Sequence, residues 1–206
     1  WQSGPNIRIN LTATTPPTCY VLTLNHTGQG SDPIASPSNS TGCSTGQYVA
    51  DASISLSGAT PNSGWQIDSW TGTNDNDSTA STNTVTMPAS ARTASVNYTQ
   101  NEYILTVNTV GSGTVTRSIP APYHLGDVVA LTPVPAAGWS FSAWSGACTG
   151  SGACSVTMDA AKTVTATFTQ SAYTLTITSL HGTVAKSPDK ATYTYGEVVQ
   201  LTATPA

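Results

Sequence analysis

Gly42-Cys-Ser-Thr-Gly46 spells the string in which a strained turn between a strand and a helix exposes a serine to a histidine base. No helical pattern follows Ser44, and its neighbours are hairpin-loop residues, so the string lacks the frame a nucleophile needs. The ten Asp and Glu residues are scattered, and only Asp75 and Asp77 fall close together. They sit in a polar loop that suits a solvated turn or a weak calcium site better than a general acid and base. Four cysteines allow three disulfide pairings or, as the rival reading, a zinc site. Zinc wants four close ligands, and His26, His124 and His181 are isolated from one another and from that spacing. Trp70 and Trp144 could lay flat apolar faces against sugar rings, the alternative being that they pack against the protein itself. Asn10, Asn25, Asn39, Asn76 and Asn97 open Asn-x-Ser/Thr strings, glycosylation acceptors in hosts with that machinery. Abundant Ser and Thr make O-linked sugar a further expectation.

The elements that must carry these residues follow from composition. Charged residues make up 8% of the 206, and Ser plus Thr roughly 30%, so solubility rests on hydroxyls and amides. Thr, Val, Ser, Gly, Asn and Pro favour strands and turns over helices, which predicts an all-β protein. The net charge of −4 comes with six single Lys and Arg residues and no basic stripe, which excludes nucleic acid as a partner. Apolar runs are short and alternating, so membrane insertion is not expected. Nothing in the spacing calls for a cofactor. A chain that opens on Trp1 without a leader pattern reads as a mature or excised piece of an exported protein.

Self-similarity sets the domain organisation. Tyr20-Val-Leu-Thr-Leu24 recurs as Tyr103-Ile-Leu-Thr-Val107 and Tyr173-Thr-Leu-Thr-Ile177. Gly126-Asp-Val-Val-Ala-Leu-Thr132 matches Gly196-Glu-Val-Val-Gln-Leu-Thr202, with Asp51-Ala-Ser-Ile-Ser-Leu-Ser57 as a looser first copy. That copy carries one extra residue before Pro61, predicting a bulge near Gly58. Gly64-Trp-Gln-Ile-Asp-Ser-Trp-Thr-Gly72 parallels Gly138-Trp-Ser-Phe-Ser-Ala-Trp-Ser-Gly146. Strict alternation puts Trp65 with Ile67, and Trp139 with Phe141, on the core face, and turns Trp70 and Trp144 to the other side. The closing strands run Arg92 to Tyr98 and Lys162 to Phe168, each with one apolar and one hydroxyl face. The division is residues 1–17 as the closing strand of a preceding or neighbouring repeat plus linker, 18–100 as repeat 1, 101–170 as repeat 2 and 171–206 as a partial repeat 3. Short joints between copies predict an elongated rod.

The pattern Tyr-x-Leu-Thr-Val, Gly-x-Val-Val-x-Leu-Thr, Gly-Trp-x-Phe-x-x-Trp-Ser-Gly and Val-Thr-Met-Asp-x-x-Lys-Thr-Val-Thr-Ala-Thr-Phe resembles the divergent internalin-B-type bacterial repeats. The likeness is strongest over 102–170, clear over 19–100 and partial over 172–206; the polar stretch Asn74 to Asn83 departs from it. The resemblance implies tandem, β-grasp-like, antiparallel-rich modules of secreted and surface proteins, serving as spacers, stalks or adhesion parts, with no shared catalytic residues.

Within the repeat frame the cysteines fall into two local pairs, Cys19 with Cys43 and Cys148 with Cys154. The expected function is a non-catalytic segment of an extracellular fibre, stalk or adhesin. The alternative is a carbohydrate-binding module that recognises extracellular polysaccharide through Trp70 and Trp144. Trp1, Ser3 and Gly4, followed by Ile7, Ile9 and Leu11, carry the closing-strand pattern that the third copy lacks. Either the piece comes from a longer array, or copies join head to tail, each completing its neighbour by strand addition.

Overall fold

The computed structural model describes residues 15–206, and every element in it is a strand or a turn. The closing-strand pattern at Ile7 to Leu11, and Asn10 with it, lies outside the described residues. Two compact units divide the chain at Asn101 and Glu102.

The first unit comprises β1 (Tyr20–Thr27), β2 (Ile34–Ser36), β3 (Gln47–Tyr48), β4 (Ser53–Ser57), β5 (Trp65–Thr71), β6 (Asn83–Thr86) and β7 (Arg92–Gln100). They form two sheets, in the orders β3-β1-β7-β5 and β2-β4-β6. First and last strands lie side by side and parallel, Leu22 opposite Arg92 through Thr27 opposite Asn97, while the other pairings are antiparallel. Alternation decides which side chains meet between the sheets. Ile54, Leu56 and Val85 from one sheet bury against Leu22, Ala94, Val96 and Tyr98 from the other. The outward face of the β1-β7-β5 sheet bears hydroxyls and amides: Thr27 Oγ1 donates to Asn97 Oδ1 at 3.0 Å, and Asn97 Nδ2 donates to Ser69 Oγ at 3.1 Å.

The second unit repeats the plan with β8 (Leu105–Val110), β9 (Gly113–Arg117), β10 (Val128–Pro135), β11 (Trp139–Gly146), β12 (Cys154–Thr157) and β13 (Lys162–Gln170). Its sheets run β12-β10-β9 and β11-β13-β8, with β8 and β13 again parallel. Gly111, at φ +82°, shows why glycine stands at the first hairpin of this copy: a Cβ there would lie 2.2 Å from the carbonyl oxygen of Phe168. The third copy contributes β14 (Ala172–Tyr173) paired with β16 (Tyr193–Thr194), and β15 (Thr183–Ser187) paired with β17 (Gln200–Thr204).

The feature expected near Gly58 takes another form. Gly58 has φ +79°, and the β2–β4 ladder opens between the Ile34–Ser57 pair and a bridge from Gly30 to Pro61. Three residues intervene on each side, so the register is kept and the extra residue after β4 is matched by one before β2. The result is a two-sided blister rather than a one-sided bulge.

Candidate functional site

The true bulges lie in the tryptophan strands, and they decide what the tryptophans do. In β5 the register shifts between Ile67 and Ser69, so that Ile67 faces Tyr98 and Trp70 faces Val96. Tyr98 and Val96 sit two apart on the core face of β7, and the extra residue therefore returns Trp70 to the face that Ile67 occupies. An equivalent shift between Phe141 and Ala143 does the same for Trp144. Trp70 and Trp144 are 1% and 3% exposed, whereas Trp65 and Trp139 are only partly buried at the rims of their cores. This reverses the expected roles of the two tryptophans in each block. It also removes Trp70 and Trp144 as sugar platforms, because neither ring face is open to solvent.

Each buried indole is held by the loop that follows its strand. Trp70 Nε1 donates to the Ala80 carbonyl and Trp144 Nε1 to the Gly152 carbonyl, both at 3.1 Å. The backbone NH of each tryptophan donates to the same loop, at Asn76 and Gly150. The two loops are built differently. In the first copy Asn76 Oδ1 accepts from Thr73 N and Oγ1, and Asn74 ties the loop to Thr84 and Thr86 of β6. In the second copy the Cys148–Cys154 disulfide closes the loop, and Cys154 is itself in the core. The other expected bridge, Cys19–Cys43, is also formed.

Three tyrosines that sequence reasoning passed over are central. Tyr48, Tyr123 and Tyr193 are buried, one per copy, and their hydroxyls donate to the carbonyls of Pro37, Ile119 and Pro188. Burial raises the Tyr48 pKa above the ordinary phenol value. The available signal was position: each stands three residues before a left-handed residue, Asp51 (φ 63°), Gly126 (φ 89°) or Gly196 (φ 76°).

The remaining predicted residues are dispersed. Ser44 is exposed, with its carbonyl accepting from Gln47 N. Asp75 and Asp77 are exposed, and the Asp75 carbonyl accepts from Thr73 and Asn83 side chains. Among the described residues no group of three or more His, Cys, Asp or Glu is arranged to hold a metal. Asn25 and Asn76 are exposed, whereas the Asn39 amide donates to Ser40 and Cys43 carbonyls and the Asn97 amide is engaged in the sheet-face network.

The third copy presents a groove of about 500 Å³ lined by Tyr173, Leu175, Tyr193, Tyr195, Val199 and Leu201. Their counterparts in the second copy, Leu105, Tyr123, Val129 and Leu131 among them, are core residues of the unit whose other sheet is β11-β13-β8. Leu131 is 4% exposed and Leu201 is 50% exposed.

Two complete copies of one two-sheet module, each with its own hydrophobic core, and a partial third copy that repeats the same strand residues define a tandem β-repeat protein. A family model described as the divergent InlB B-repeat domain matches residues 20–102, 103–172 and 173–206, and the chain belongs to that family of bacterial surface repeats. A search of curated proteins finds no match.

Proposed function

We propose that the chain is a non-catalytic structural segment of a bacterial extracellular fibre, stalk or adhesin, and that copies join head to tail by strand complementation. The observation that carries the structural reading is one β plan repeated along the chain under a family match to all three copies, and the surface that strand complementation would use is the groove of the third copy. Its residues repeat those that β11 and β13 help to enclose in the second copy, and half of Leu201 meets solvent. Residues 1–13 supply a matching occupant by sequence, with Trp1, Ser3 and Gly4 for the tryptophan turn and Ile7, Ile9 and Leu11 for the closing strand. Strand addition would satisfy backbone groups and apolar surface together. The contact joins two different surfaces, so it propagates rather than closing into a dimer. The two disulfides suit an oxidising, extracellular setting.

Sedimentation and electron microscopy of the full chain test the assembly. Fibres or higher oligomers are expected, and both deletion of residues 1–13 and Leu201→Asp should abolish them while β1 to β13 stay folded. A chain that stays strictly monomeric at high concentration refutes the proposal, as does assembly that survives Leu201→Asp.

A further inference from the structure

The blister at Gly58 has a second strand, Gly30-Ser31-Asp32-Pro33, and it brings an Asp-Pro peptide bond under a histidine. His26, at the end of β1, places Nδ1 2.7 Å from Asp32 Oδ1, the distance at which a protonated ring N–H donates to a carboxylate. Ser31 is fixed on the N-terminal side of that bond. Its Oγ donates to the Gly58 carbonyl at 2.7 Å and accepts from Thr60 N, its NH donates to the Thr60 carbonyl, and its carbonyl accepts from Tyr98 Oη at 2.8 Å. On the C-terminal side the Pro33 side chain is buried. Asp32 between them is 57% exposed, so water reaches it. Six residues after Tyr20, Tyr103 and Tyr173, the position of His26 is held by Thr109 and Ser179 in the other copies, and neither is followed by an Asp-Pro pair in its copy.

We propose that Asp32–Pro33 is a self-cleaving bond promoted by His26, and that the Cys19–Cys43 disulfide keeps the two pieces joined. The ionised carboxylate of Asp32 attacks the carbonyl carbon of its own residue, forming a C–O bond in a five-membered cyclic anhydride. The C–N bond to Pro33 breaks, and the electron pair stays on the proline nitrogen. That nitrogen belongs to a tertiary amide and departs as a secondary amine, taking the proton that the His26 imidazolium had shared with the carboxylate. Water then opens the anhydride, leaving Asp32 as a carboxyl terminus and Pro33 as an amino terminus. The net change is the addition of one water, with no co-reactant. Anchoring of Ser31 and burial of Pro33 limit the motion of the peptide on either side of Asp32, so the attack draws on restricted motion as well as on the shared proton.

Asp32 and Tyr98, whose ring centroid lies 5.9 Å from that of His26, are the titratable groups in contact with it among the described residues. Arg92, the one charged residue of the neighbouring β7, pairs with Leu22 at the other end of β1. Because residues 19 and 43 straddle the cut, the product is a clasped two-piece module in which β1 and β2, strands of different sheets, are no longer joined by continuous chain.

The test is intact mass spectrometry of the full chain held in mildly acidic buffer. Without reductant the mass should rise by one water, and reduction should release a fragment ending at Asp32 and another beginning at Pro33. His26→Gln should slow the reaction on the order of a hundredfold, the low end of what a positioned general acid supplies. Pro33→Ala, which keeps the His26–Asp32 contact, should stop it. Folding of each variant is checked by the shielded fluorescence of Trp70. An uncut wild type after prolonged incubation, a His26→Gln variant cut at the wild-type rate, or urea-unfolded chain cut as fast as folded chain would each overturn the proposal. Assembly plays no part in these readouts, so their failure and a failure of head-to-tail joining are distinguishable.

Discussion

Replacing Trp70 with alanine tests the bulge directly, because alternation without the bulge makes Trp65 the core residue. Trp70 is 1% exposed, and its Nε1 is bonded to Ala80. Truncating a fully buried tryptophan costs about 4 kcal/mol, and the loop carbonyl also loses its donor. Trp65 is partly buried at the core rim, and its truncation should cost about 1.5 kcal/mol in lost apolar area. At a urea slope of about 1.5 kcal/mol per M, the first unit's midpoint should fall by about 2.7 M for Trp70→Ala and about 1 M for Trp65→Ala. Circular dichroism follows the transition, and hydrogen exchange in β4 and β7 assigns it to the first unit. The Trp144→Ala and Trp139→Ala pair should repeat this order in the second unit. If Trp65→Ala proves as costly as Trp70→Ala, the bulge does not place the second indole in the core and the reasoning fails.

Asp51 occupies, at φ 63°, the position that glycine holds in the other copies, so Asp51→Gly should stabilise the first unit by about 0.5–1 kcal/mol in urea unfolding, opposite to the usual effect of a glycine. Cys148 and Cys154 are six residues apart, and their joint replacement by alanine should destabilise the second unit by about 2.4 kcal/mol on the loop-entropy model. That loss should come with a red shift in Trp144 emission, since the loop it opens supplies the indole's acceptor at Gly152.

Period-two patterns carry the strand assignments well where strands are regular. In β7 and β13 the apolar residues Ala94, Val96 and Tyr98, and Val164, Ala166 and Phe168, are all buried, as their alternation requires. The disulfide pairs are readable for a related reason, since a repeat frame puts Cys148 and Cys154 in one loop before any distance is known. Alternation misleads where a residue is inserted. Trp-x-Ile-x-x-Trp has an odd spacing between Ile67 and Trp70, which a flat strand assigns to opposite faces and a bulged strand to one face. Nothing in the residue types of the first copy announces the bulge, and only its recurrence as Trp-x-Phe-x-x-Trp in the second hints at a common geometry. The His26–Asp32 contact was illegible because a β1 side chain meets a loop residue only when the ladder opens, and that opening depends on matched insertions in two separate strands.

The two tryptophan loops meet the same structural demand with different residues. Both must offer a carbonyl to an indole N–H at 3.1 Å and another to the tryptophan backbone NH, because a buried indole donor without an acceptor would cost more than its packing could easily offset. A loop satisfies this only if its own conformation is fixed. The first copy fixes it with Thr73, Asn74 and Asn76, a network of neutral hydrogen bonds spread over a long polar stretch. The second copy has few such groups between Cys148 and Cys154 and fixes the shorter loop covalently. The long polar insertion and the disulfide are therefore alternative answers to one demand, set by the tryptophan that the bulge turns inward. On this account reduction leaves the tryptophan loop of the first copy fixed and frees that of the second, while it opens the Cys19–Cys43 bridge elsewhere in the first copy.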